Sequence, residues 1–278
     1  MHAGTEDRSP SDGSDDGQIR ILLVLHYDGS GFHGWQVQPR LRTVQGEIEA
    51  IVERITGARR PVLGSGRTDA GVHATGQVAT VSLPERWTPA RARKALNALL
   101  PRDIWVESAR QVPMSFHPRY DAVERSYRYR VGTAPDCGSP FHRPFCWALG
   151  EELDPAVLDR AAALLPGTRS FRSFAKAGQP QRGEICTVQM AQWDRWGDLG
   201  YAFTVRANRY LHHMVRYLVG TMVAVGLGRR ELDEFQALLE DPECGAVTSP
   251  PAPPEGLYLE RVRYPHFDDV PPRSGHPT

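Results

Sequence analysis

The spacing of apolar residues switches repeatedly along this chain, from short branched runs to one-sided helical periodicity and back. IRILLVLHY (19–27) reads as a buried strand. TVQGEIEAIVERITG (43–57) then places Val44, Ile48, Ile51, Val52 and Ile55 on one helical face, with Thr43 as the cap. QVATVSL (77–83) is a strand. TPARARKALNALL (88–100) is a helix with Thr88 as cap and Pro89 in its first turn, and DIWVESARQV (103–112) is a strand again. The order then roughly repeats. RSYRYRVG (125–132) alternates as a strand, and LDPAVLDRAAALL (153–165) is a helix opened by Asp154 and Pro155. Residues 186–207 read as a hairpin with Gly197 and Gly200 in its turn. RYLHHMVRYLVGTMVAVGLG (209–228) reads as one long helix, ELDEFQALLE (231–240) as a short one, and GLYLERVRYP (256–265) as a closing strand. No repeat is visible residue by residue. The expectation is an α+β protein of two related domains, 18–113 and 114–264, between tails 1–17 and 265–278. Both tails are polar or proline-rich and are expected to be disordered.

A chain of 278 residues can bury a substantial core. Its longest nearly uncharged apolar stretch, residues 217–228, is shorter than the roughly 20 residues that span a bilayer. The first residues are acidic and lack an apolar segment, so they do not read as a signal peptide, and the expected location is cytoplasmic. None of the four cysteines has CxxC spacing, which favours simple thiols over a zinc site or a disulfide frame. Formal net charge is zero, but residues 18–264 hold 31 basic and 26 acidic residues, and the whole chain has only two lysines, Lys94 and Lys176. Arginine suits phosphate and base contacts. A codon bias toward arginine would give the same count, so charge permits an RNA partner without requiring one.

GSGRTDAGVHATGQV (64–78) holds one carboxylate, Asp69, among glycines and small residues. It is not a phosphate loop, which needs Gly-Lys-Ser/Thr, and Asp69 stands where a dinucleotide motif would need its last glycine. Asp69-Ala70-Gly71 can be a plain turn. Alternatively, the glycines admit a ligand, and Arg67 keeps the nearby carboxylate charged for work as nucleophile or base. In the 209–228 segment, Arg216 interrupts an apolar stripe. It either snorkels to water or meets a buried anion, with Asp69 the candidate. His212 and His213 invite a metal reading with His73 or His117. Adjacent residues on a helix point about 100° apart, however, so the pair is not expected to share an ion. Tyr127 and Tyr129 share a strand face with Arg128 opposite, a pattern that stacks single-stranded RNA bases, although Tyr129 reads better as core. YDGSGFHGWQ (27–36) is a glycine-rich aromatic loop of the kind that carries ligands.

Taken in order, HYDGSGFHGWQ, GSGRTDAGVHATGQV, RSYRYRV, FRSF (171–174), RANRYLHHMVRYLVGTM and EGLYL resemble the motifs of the tRNA pseudouridine synthase A family. The resemblance spans residues 19 to 264. It implies two similar α+β domains with mixed or antiparallel sheets joined across a basic cleft, helices packed on one side, and a homodimer. It implies isomerisation of uridine to pseudouridine at positions 38, 39 and 40 of the tRNA anticodon stem-loop, with no metal and no cofactor. Asp69 matches the catalytic aspartate, Tyr127 the tyrosine that stacks on the target base, Arg216 the partner of the aspartate, and Leu257 a pocket leucine. Arg67 and His73 complete the expected substrate contacts. Ser126 stands where the family often has a basic residue. Asp69 would cleave the glycosidic bond by attack on C1′ or by removing the C2′ hydrogen, and Tyr127 is the candidate to take the C5 hydrogen. Two rival readings are a non-catalytic RNA-binding module and a metal-dependent phosphoesterase built on His73, His117, His212 and His213. Turnover on tRNA separates the first from an enzyme, and activity in a chelator tests the second.

Overall fold

The computed structural model describes residues 17–176, 183–241 and 245–265. Apart from Gly17 and Pro265, the two tails expected to be disordered lie outside these residues.

Strand β1 (Gln18–Tyr27) buries Ile21, Leu23 and Leu25 completely. Helix α1 (Val44–Thr56) begins where the Thr43 hydroxyl accepts from the Gly46 amide, and it ends at Gly57 in the left-handed conformation. Val44, Ile48 and Val52 form its buried face. The short β2 (Leu63–Gly64) precedes β3 (His73–Pro84). Helix α2 (Pro89–Leu99) is capped by Thr88, and β4 (Ile104–Val112) follows. The second half runs β5 (Glu124–Gly132), β6 (Trp147–Ala148), α3 (Pro155–Ala163) capped by Asp154, β7 (Gly167–Ser170), β8 (Ile185–Trp196) and β9 (Gly200–Ala207). It closes with α4 (Met214–Gly226), α5 (Leu232–Glu240) and β10 (Leu257–Arg263). The two-residue strands β2 and β6 and the four-residue β7 are too short to carry a period that a sequence could reveal.

Among the described residues, all the strands form one mixed sheet in the order β4-β1-β3-β10-β5-β9-β8-β7, with β2 also on β3 and β6 on β5. The pairings are antiparallel except β10 with β3 and β5 with β6. The division near residue 113 falls between β4 and β5, but β10 lies between the two halves and belongs to both. It pairs with β5 along most of its length and meets β3 at His73 and Ala74. Leu259, Val262 and Tyr264 fill the core beside β1 and β3, whereas Leu257 fills the core beside β9 and α4. Tyr127 packs against both clusters. The 209–228 segment is corrected at its start. α4 begins at Met214, and His213 precedes it with a φ of 63°.

Candidate active site

Asp69 sits in the 65–72 connection between β2 and β3. The 28–36 loop after β1 fixes this connection from behind. Trp35 donates its amide to the Thr68 carbonyl at 3.0 Å, and the Gly71 amide donates to the Phe32 carbonyl at 3.3 Å. The Thr68 hydroxyl meets the Tyr27 hydroxyl at 2.7 Å, inside the core. Two glycines make the contact possible. A Cβ on Gly29 would stand 2.1 Å from the Val72 carbonyl oxygen. One on Gly34, whose φ is 86°, would stand 2.6 Å from that of Thr68. The 27–36 loop, expected to carry a ligand, therefore serves as the backing of the Asp69 turn.

The opposite side of the carboxylate is formed by the segment leading into α4. His212 Nε2 lies 3.4 Å from Asp69 Oδ1, His213 Nε2 lies 3.3 Å from Oδ2, and Arg216 Nη1 lies 3.6 Å from Oδ2. Helical geometry would have splayed the two histidines. The left-handed backbone at His213 instead turns both imidazoles to one side, with ring centroids 4.1 Å apart. A non-glycine residue in that conformation costs of order 1–3 kcal/mol and is found where structure around it enforces it. Here the His213 carbonyl accepts the first helical bond from Tyr217, and the His212 carbonyl accepts from the Lys176 amide. Arg216 is fixed by a 2.7 Å bond from Nε to the Ala252 carbonyl. The Asp69 side chain keeps 25% of its surface exposed, so a ligand can reach it. Burial lowers the His213 pKa. The Asp69 charge opposes that shift, while His212, Arg216 and Lys176 reinforce it.

Tyr127 lies on β5 on the same sheet face as Tyr129, Leu257 and Leu259. Its ring meets Tyr210 edge-on at 4.9 Å and the residue is half-buried, whereas Tyr129 is fully buried. Burial pushes the Tyr127 phenol up to about 12; Arg125 opposes and Asp69 adds. Arg125 is committed to structure. Its guanidinium donates to the carbonyls of Ser65, Arg119, Ala122 and Asn208 and so ties the Asp69 connection to β5.

Three sequence expectations change here. Arg67 is exposed and donates to Gln36 at 3.1 Å, so the cation beside Asp69 is Arg216. His73 is 1% exposed, with Nδ1 accepting from the Gly29 amide and Nε2 bonded to the Pro144 carbonyl, which makes it a wall residue rather than a substrate contact. His117 accepts from the Arg119 amide away from this cluster, so the four-histidine phosphoesterase site does not assemble. Leu257 is buried, in register with Tyr129.

The family model described as tRNA pseudouridine synthase matches residues 23–121 and 161–265, which include Asp69, Arg216 and Leu257 but not Tyr127. A protein of Rhodospirillum rubrum named tRNA pseudouridine synthase A is 40% identical over 260 residues, covering 92% of each chain. Proteins of the same name from Moorella thermoacetica and Roseiflexus castenholzii are each 43% identical, covering 88% of this chain and 99% and 90% of their own.

Proposed function

The chain belongs to the tRNA pseudouridine synthase family, and from that premise we propose that it isomerises uridine to pseudouridine in the tRNA anticodon stem-loop, around positions 38, 39 and 40, with Asp69 as the catalytic group. The observation that carries the reading is the setting of Asp69. Two histidines and an anchored arginine hold its partly exposed carboxylate between the halves of the sheet.

A base inside a stem must leave its stack, at a cost of a few kcal/mol. Stacking on Tyr127 returns about 1–3 kcal/mol. Leu257, nearly buried on the same sheet face as Tyr127, backs the apolar side of the uracil site. Asp69 then acts at C1′ or C2′. The N1–C1′ bond breaks, the uracil turns, and C5 bonds to C1′. C5 loses a proton and N1 gains one, so the product has the mass of the substrate. Nothing is oxidised and no group is carried away, so the step needs neither a redox carrier nor ATP. Arg216, 3.6 Å from Oδ2, orients the carboxylate. Exposed Arg67 at the rim is placed to meet phosphate. A homodimer is proposed on the same resemblance.

Bulk tRNA incubated with the protein and mapped for pseudouridine tests the reading. The wild type should modify the stem-loop, and Asp69→Asn should bind tRNA but leave it unmodified. Binding without turnover by the wild type would leave the RNA-binding module as the better account. Substantial turnover by Asp69→Asn would remove Asp69 from its role.

A further inference from the structure

Asp69, His212 and His213 do something in space that their sequence positions concealed. One ligand atom from each lies within 4.8 Å of the other two, and among the described residues they form a group that could hold a metal ion. A tetrahedral ion with ligand bonds of about 2.0–2.1 Å sets neighbouring donors about 3.3–3.4 Å apart. His212 Nε2 lies 3.4 Å from Oδ1, within that spacing, and His213 Nε2 lies 3.3 Å from the other oxygen, Oδ2. Rotation of the imidazoles toward one oxygen would complete a three-ligand set, and the partial exposure of Asp69 and His212 leaves a fourth position open to water.

We propose that Asp69, His212 and His213 bind a divalent transition-metal ion, of the zinc or cobalt class, between the 65–72 connection and the start of α4. Two imidazoles and one carboxylate suit zinc, cobalt, nickel or copper. Magnesium and calcium favour oxygen ligands. Arg216 lies against Oδ2, so Oδ1, facing His212, is the oxygen better placed to take the ion. An ion there occupies the lone pairs that Asp69 needs for its attack, so the site is inhibitory. This last point rests on the proposed synthase activity, whereas metal binding does not.

The test is titration of the metal-free full chain with cobalt, read by the visible absorption of the bound ion. The wild type should take up one equivalent and show the bands of a four- or five-coordinate nitrogen–oxygen site. His212→Ala and, separately, His212→Gln should weaken binding by about tenfold or more, since even outer-shell changes cost 10–100-fold. His117→Ala should bind as the wild type does. Absence of the bands, their persistence in both His212 variants, or a near-ultraviolet thiolate-to-cobalt band marking the cysteines as ligands would each overturn the site. Zinc should also stop pseudouridine formation by the wild type, and a chelator should restore it, with magnesium having no such effect. Zinc bound without inhibition would overturn the inhibitory role alone. Cobalt bands in a protein with no turnover at all would instead count against the synthase reading and leave the metal site standing.

Discussion

Arg216 shows how one side chain can be both anchored and functional. Its Nε is spent on the Ala252 carbonyl, which leaves Nη1 3.6 Å from Asp69. Lysine has one point charge and cannot serve both partners with the planar fork that arginine offers. Arg216→Lys is therefore expected to keep the charge but lose the alignment. Both Arg216→Lys and Arg216→Ala should cut kcat by about a hundredfold, the scale set by small misplacements of a catalytic group. Single-turnover assays under saturating tRNA would show it. Full activity in the lysine variant would mean that charge alone matters at this position. Asp69 and Arg216 could both be named from the sequence because a lone carboxylate among glycines and a cation in an apolar stripe are each anomalous. His212 and His213 could not be placed. Periodicity assigned them to a helix, and the left-handed φ at His213 that brings them to Asp69 leaves no mark on the hydrophobic pattern.

At the scale of elements, the site depends on two loops locked back to back. Gly34→Ala should strain a φ of 86° and press a methyl against the Thr68 carbonyl. A loss of about 1–3 kcal/mol in urea unfolding is expected, with a larger loss of turnover because Asp69 moves with its loop. An unchanged unfolding midpoint would show that the loops give way cheaply. His73 supplies the second lock. Burial lowers its pKa; Asp28 opposes and Arg130 reinforces. The neutral ring accepts from Gly29 through Nδ1 and bonds Pro144 through Nε2–H. The unfolded chain takes up this proton near the ordinary value of about 6.5, before the folded one does. Stability from His73 is therefore complete above that pH and is lost as pH falls through it toward the lower folded value. His73→Asn should be less stable at neutral pH, with a flatter decline on mild acidification. Denaturation midpoints across a pH series would reveal equal slopes if the imidazole plays no such part.

Over the whole molecule, the arginine-rich middle of the chain should grip tRNA through phosphates. The log of Kd should then rise linearly with log salt, by about 0.7–0.9 per phosphate contacted. A flat filter-binding series would argue against that mode. The order of the longer strands and helices, the caps at Thr43, Thr88 and Asp154, and the turn of the 186–207 hairpin were legible because each rests on neighbours in sequence. So was the turn at Asp69-Ala70-Gly71, which joins β2 to β3. The place of the closing strand was not legible. An apolar run such as LYLERV can pair at any sheet edge, and only the joint packing of Leu257 into one core and Leu259 into the other puts it between β3 and β5. Local chemistry thus determined which segments fold and singled out Asp69 as a candidate. Tertiary structure decided what surrounds that carboxylate, because its partners lie more than a hundred residues away and the backbone that turns them toward it is held by contacts no local pattern encodes.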